Sequence, residues 1–202
     1  MENICDMSNR IAELLVHLGR AARSEDGRSD LTAAQWTCLR FFARANGSTR
    51  TPSGFASFQS TTRGTASQII KTLEGRGLIA RSRSATDGRS SRFDLTEAGH
   101  AMLERDPLRD MIEVISKLAV DERSGFLETL SRIAFTISDV REVPAFGTCH
   151  DCSHFTPLGE CGQSGYCACM AAELAADETT KLCASFTLEP APKAKEETDD
   201  QP

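Results

Sequence analysis

Apolar side chains recur at three- and four-residue steps through the first twenty residues: Ile4, Met7, Ile11, Leu14, Leu15 and Leu18, with Arg10, Glu13 and Arg20 off the stripe. The period is helical. It predicts a helix over 3–22 whose apolar face must pack on the same chain or on a second copy. After a polar break at 27–30, Asp30-Leu31-Thr32 offers caps for a second helix to about Ala45, with Leu31, Trp36, Leu39 and Phe42 facing inward. Asn46-Gly47-Ser48 reads as a turn. Pro52 then falls in the first turn of a short helix ending near Phe58-Gln59, where its missing N–H is harmless. Ser60-Thr61-Thr62 supplies caps for the next helix, which runs to about Arg76 and is stopped by Gly77. Ala66, Ile69, Ile70 and Leu73 give that helix an apolar face, and Thr62, Arg63, Thr65, Gln68 and Lys71 a hydrogen-bonding one.

The period changes at Leu78. Residues 78–83 and 91–95 read as two strands, with 84–90 and its central Asp87-Gly88 as the hairpin tip. Thr96 caps a further helix with Glu97 in its first turn, and Pro107 interrupts the helical pattern over 97–119. Met111, Ile112, Ile115 and Leu118 continue one stripe; Phe126, Leu127, Leu130, Ile133 and Ile137 form another, ending near Val143-Pro144. Residues 189–202 carry no apolar periodicity and are expected to be disordered.

The chain has 202 residues, 40% hydrophobic and 26% charged, ordinary for a soluble globular protein. No apolar run approaches the roughly 18 residues that span a bilayer. Met1 to Asp6 lacks the basic and apolar regions of a secretory signal. A cytoplasmic protein with no membrane partner is expected. The net charge of −6 argues at first against nucleic acid. Its distribution changes that picture, because residues 50–92 carry eight Lys or Arg against only Glu74 and Asp87. A basic island in an acidic chain is either the footprint of a DNA-reading module or an ordinary solvated face.

Helix, short helix, helix and two-stranded basic hairpin is the order of a winged helix-turn-helix. In that arrangement the third helix reads base edges through its hydroxyl, amide and guanidinium groups, and its N-terminus favours phosphate. Gly64, in the first turn, costs about 1 kcal/mol relative to alanine; close approach to a DNA backbone or a frayed helix start would each account for it. Three stretches carry a resemblance over residues 31–137: Leu31-Thr32-Ala33-Ala34-Gln35-Trp36, Thr61-Thr62-Arg63-Gly64-Thr65-Ala66-Ser67-Gln68, and Asp87-Gly88-Arg89 followed by Leu95-Thr96-Glu97-Ala98-Gly99. They resemble the MarR family of regulators. The resemblance implies a homodimer, built from the first and last helices, on a pseudo-palindromic double-stranded DNA operator. It also implies that Asp87 orients Arg89 toward the minor groove, where an ordinary surface ion pair is the alternative. Thr62, Arg63, Thr65, Gln68, Lys71, Arg83, Asp87 and Arg89 are the expected DNA-binding residues. Trp36 is expected in the core and His17 and His100 on the surface. No effector pocket is assigned and any small-molecule effector is unknown.

Of eight cysteines, Cys149, Cys152, Cys161, Cys167, Cys169 and Cys183 fall within 35 residues. In a cytosolic chain such a cluster points to a metal or redox site before a disulfide scaffold, and a C-x-x-C pair presents two thiolates from one turn. Phe155, Tyr166, Leu174, Leu182 and Phe186 are available to wrap it. The series Cys149, Cys152, Cys167 and Cys183, with Phe155 after the pair and Cys183-Ala184-Ser185-Phe186 closing it, resembles the cluster-binding stretch of high-potential iron–sulfur proteins. The resemblance implies a [4Fe–4S] cubane on those four, with Cys161 and Cys169 as possible alternates. Zinc on four cysteines, or on three with His150 or His154, is the rival, and a thiol/disulfide switch stands behind both. Cys38 is expected in the core and Cys5 to be inert.

The expected fold class is mainly α with a small β-wing, an α+β winged helix-turn-helix with a helical dimerisation region and a small cysteine-rich module. Residues 1–143 form the DNA-binding and dimerisation unit with its reading core at 31–99, residues 144–188 the metal module and 189–202 the acidic tail. The expected function is a dimeric regulator whose operator binding is modulated by a cluster sensing redox state, oxygen or iron. The alternative is a MarR-type regulator with structural zinc or a thiol switch, responding to a small organic effector. No Gly-rich substrate loop or Ser/His/Asp set supports an enzyme.

Overall fold

A computed structural model describes residues 4–21, 30–83, 91–159 and 162–188. The wing tip with Asp87 and Arg89, Cys161, and the tail over 189–202 lie outside the described residues.

The helical periods become α1 (Ile4–Ala21), α2 (Ala33–Arg44), α3 (Pro52–Phe58) and α4 (Arg63–Gly75). Thr32, Thr51 and Thr62 cap the last three, each hydroxyl accepting the N–H three residues on, and Pro52 stands in the first turn of α3. Gln35 returns a side-chain contact to the Thr32 N–H and completes a capping box. At the end of α4, Gly77 adopts φ +70°, a left-handed conformation that favours glycine. There Gly77 N–H donates to Glu74 O and Leu78 N–H to Leu73 O, closing the last turn. Strands β1 (Ile79–Arg83) and β2 (Ser91–Leu95) pair antiparallel, Ile79 opposite Leu95 and Arg83 opposite Ser91.

Trp36, Leu39, Phe41 and Phe42 of α2 meet Phe55 of α3, Ala66, Ile70 and Leu73 of α4, and Ile79 and Phe93 of the hairpin in one core. Phe42 sits at its centre, its ring centroid 5.3 Å from Phe41, 6.2 Å from Phe55 and 5.7 Å from Phe93. Trp36 is 1% exposed and Cys38 fully buried, so both are core residues as expected, and His17 and His100 lie on the surface.

Thr96 caps α5 (Glu97–Leu103), and Pro107 precedes α6 (Leu108–Ser116). Arg40 of α2 forms a bidentate pair with Asp106, whose Oδ1 also accepts the Leu108 N–H at 2.7 Å. One carboxylate thus ties α2 to the start of α6. The long helix α7 (Val120–Val140) follows. Exposed apolar side chains run along α1 (Met7, Ile11, Leu14, Leu18) and α7 (Phe126, Leu127, Ile137).

The cysteine-rich segment is more regular than the sequence pattern indicated. It holds a three-stranded antiparallel sheet of β3 (Phe155–Leu158), β4 (Ser164–Cys167) and β5 (Ala172–Leu174), then the short helix α8 (Ala176–Thr179). The alternation along β4 turns Gly165 and Cys167 inward and leaves Tyr166 exposed. Tyr166 therefore lies outside this packing, whereas Phe186 and Phe155 pack with Cys152 and Cys183. No described helix is long and apolar enough to cross a membrane.

Candidate nucleic-acid interface and cysteine centre

The polar face of α4 is outward. Thr62, Arg63, Thr65, Gln68 and Lys71 are all exposed, while Ala66, Ile70 and Leu73 hold the helix on the core. Thr62 has a structural task as well: its hydroxyl accepts the Thr65 N–H at 3.2 Å and lies 3.0 Å from the Thr65 hydroxyl. Arg63, Gln68 and Lys71 carry the longer reach. A Cβ at Gly64 would meet nothing nearer than Thr62 Oγ1 at 3.8 Å, so packing within the chain does not require glycine there.

Arg83 ends β1 and leads toward the wing tip. On the same hairpin Arg81 lies over the Phe93 ring at 5.5 Å and reaches Glu74 at 3.9 Å. Arg50 pairs with Asp94, which also accepts from the Ser82 hydroxyl at 2.6 Å. These two cations of the basic island are thereby committed to holding the wing on the domain.

The four cysteines Cys149, Cys152, Cys167 and Cys183 are buried, 6–9% exposed, and Cys169 is exposed. Burial, then the nearby Cys183, Cys152 and Cys167, with a smaller contribution from Glu178, push the Cys149 thiol up to about 11. The same three cysteines that follow Cys149 in the series are thus its neighbours in space. Backbone bonds build the centre: Cys152 N–H donates to Cys149 O, Phe155 N–H to Cys152 O, and Cys183 N–H to Gly147 O. The Phe186 ring lies directly on Gly147, where any Cβ would collide with it at 2.5 Å. His154 Nε2 is 3.2 Å from the Thr187 hydroxyl, and His150 meets the Phe155 ring edge-on at 5.6 Å.

Among the described residues no three His, Cys, Asp or Glu side chains form a group set to hold one metal ion. One zinc draws its sulfurs to about 2.3 Å of a single point, whereas a cubane takes one thiolate on each iron. Cys149, Cys152, Cys167 and Cys183 are nonetheless four buried soft donors, with Phe155 and Phe186 packed against Cys152 and Cys183.

A contact that the sequence did not signal joins this centre to the reading domain. Leu182 N–H donates to Arg44 O at 2.8 Å, and Asn46 N–H to Leu182 O at 2.9 Å. Ala184 N–H donates to Thr49 Oγ1 at 2.8 Å, and Gly47 N–H to Glu178 Oε2 at 2.8 Å. Glu178 is partly buried, which alone would raise its carboxyl, yet the Gly47 N–H and the Lys181 ammonium hold it below its ordinary value. The partners are more than 130 residues apart, and no periodicity marks such a pairing.

Residues 29–90 match the sequence profile of the MarR family. The chain is similar in structure to Streptococcus pneumoniae FabT in complex with DNA, at 19% identity over 68% of this chain and 99% of that one, with a TM-score of 0.51. It is likewise similar to S. aureus MepR in its DNA-binding conformation, at 20% identity over 65% and 98%, with a TM-score of 0.52. Its fold is the MarR-type winged helix. Regulators of the MarR family bind DNA and are not enzymes. Comparison with curated proteins finds no match. The matched profile ends at residue 90, before the cysteine-rich segment.

Proposed function

We propose that this protein is a dimeric transcriptional regulator whose affinity for operator DNA is set by a metal centre on Cys149, Cys152, Cys167 and Cys183. The observation that carries the reading is the pairing of an outward polar face on α4 with four buried thiols gathered about Cys149 in the same chain. FabT, of the same fold, has been solved on DNA. The stripes on α1 and α7 support a homodimer, because half-exposed Met7, Ile11 and Leu14 need a second surface to cover them. Thr62, Arg63, Thr65, Gln68 and Lys71, with Arg83 and the wing residues Asp87 and Arg89, are the proposed DNA contacts.

The proposed group is a [4Fe–4S] cluster, which when bound supplies a one-electron redox couple and sensitivity to oxygen and iron supply. The chain's own residues supply thiolates, a largely apolar surround and a mounting on the reading domain. Domain assignment follows: 1–143 for dimerisation and DNA, 144–188 for the metal, 189–202 as the acidic tail. Purification without oxygen, followed by iron, sulfide and zinc analysis and a visible spectrum, tests the centre. About four irons and four sulfides per chain, with absorption bleached by air, is the expected result. One zinc and no colour would reduce the module to a brace and return the search for a signal to a small organic effector.

A further inference from the structure

We infer that the segment carrying Cys183 is a clamp on the turn that launches the helix-turn-helix, and that the state of the cysteine centre reaches the DNA-reading head through this clamp within one chain. The inference rests on the proposed function, and it names a route that does not pass through the dimer helices. Cys183 is flanked on both sides by residues bonded to the reading domain: Leu182 to Arg44 and Asn46, and Ala184 to Thr49. Glu178 adds a fourth contact at Gly47. The receiving segment, residues 44–50, joins α2 to α3 and runs directly into Thr51, the cap of α3. At its far end Arg50 O accepts the Phe93 N–H of β2 at 3.0 Å, so the same segment holds the base of the wing.

Ala45, Asn46 and Thr49 are buried, at 1%, 3% and 1% exposure. Buried backbone groups must be paired. If Leu182 and Ala184 withdraw, the Asn46 N–H and the Thr49 hydroxyl, both on buried residues, lose their partners, and the turn must open to water or rearrange. The clamp is therefore made or broken as a unit. The contact with α7 is of another kind: Phe135 stacks on Phe186 at 5.3 Å, an apolar contact that tolerates sliding. Cys183 is at once a centre ligand in the proposed function and the middle residue of the clamp. Thiol ligation would hold the clamp in register, and release of the thiol would free it.

Amide hydrogen exchange on the full-length protein tests this. One sample is wild type, a second is wild type stripped of metal by a chelator, a third is Cys183→Ser. A fourth, Thr49→Val with Glu178→Gln, keeps all four thiols and weakens the clamp directly, its effect on the centre limited to the small contribution of the Glu178 charge at Cys149. Binding is read on the tightest duplex recovered from random-sequence DNA by selection with the wild type. The double variant should keep wild-type metal content, spectrum and dimer mass, while protection over residues 44–58 and 91–95 falls about tenfold and DNA affinity falls with it. Stripped wild type and Cys183→Ser should show the same loss over the same residues. Unchanged protection over 44–58 after stripping would overturn the inference, as would a double variant with wild-type protection and affinity, or a wild type that holds no metal at all. A wild type that selects no duplex would defeat the proposed function, and the exchange data would still decide the clamp.

Discussion

Cys149 combines burial with three nearby thiols, and its raised pKa of about 11 means that it is protonated at neutral pH unless a metal takes the proton's place. Cys38 is pushed up further, by burial alone. Because the thiolate is the nucleophile, alkylation of the native protein should modify exposed Cys169 first and Cys38 only after unfolding. Peptide mass mapping over time checks the order; Cys38 reacting as fast as Cys169 would contradict the packing of α2. Glu178 gives a residue-scale pH dependence. Its carboxyl is lowered in the folded chain, so its contribution to stability is fully present above the ordinary value of about 4.5 and is lost as pH falls below it. Glu178→Gln keeps an acceptor for the Gly47 N–H but loses the charge, so it should cost about 1 kcal/mol at pH 7, the difference between a charged and a neutral hydrogen bond. Urea unfolding at a series of pH values should show that gap closing below about pH 4.5.

The informative element is α4, whose two faces do different work. Thr62→Ala removes the cap and should destabilise the domain by about 1 kcal/mol, measurable as a lower melting temperature without DNA. Lys71→Ala should weaken binding on every duplex and lower the slope of log affinity against log salt by about 1. Gln68→Ala should instead relax preference at one base step, and equal losses on all single-base variants would remove Gln68 from the readers. The two faces, though not their contacts to DNA, were legible in the sequence because a helix displays its faces at fixed spacing: Ala66, Ile70 and Leu73 inward, Arg63, Gln68 and Lys71 outward. The strands β3, β4 and β5 were not. Each has three or four residues, too short for a period, and in β4 an inward glycine beside the outward Tyr166 blurs the hydropathy alternation.

On the scale of the whole molecule, the half-exposed stripe of α1 and the apolar residues left open on α7 are the surfaces that the proposed homodimer would cover. Leu14→Glu places a charge in the middle of the α1 stripe, so sedimentation should give half the wild-type mass, with operator affinity falling sharply because one reading head remains per particle. Wild-type mass for the variant would move the dimer surface off α1. The reading domain, its caps and its core followed from the sequence alone, because helix periods, threonine caps, Pro52 and Gly77 act within a few residues of one another. The clustering of six cysteines within 35 residues was legible from their spacing, whereas the burial of Cys149, Cys152, Cys167 and Cys183 and the exposure of Cys169 were decided by the fold. The seating of Leu182 and Ala184 on Arg44, Asn46 and Thr49 was decided by tertiary structure, since backbone N–H and C=O groups are the same at every position and only the folded chain selects which distant pair will meet.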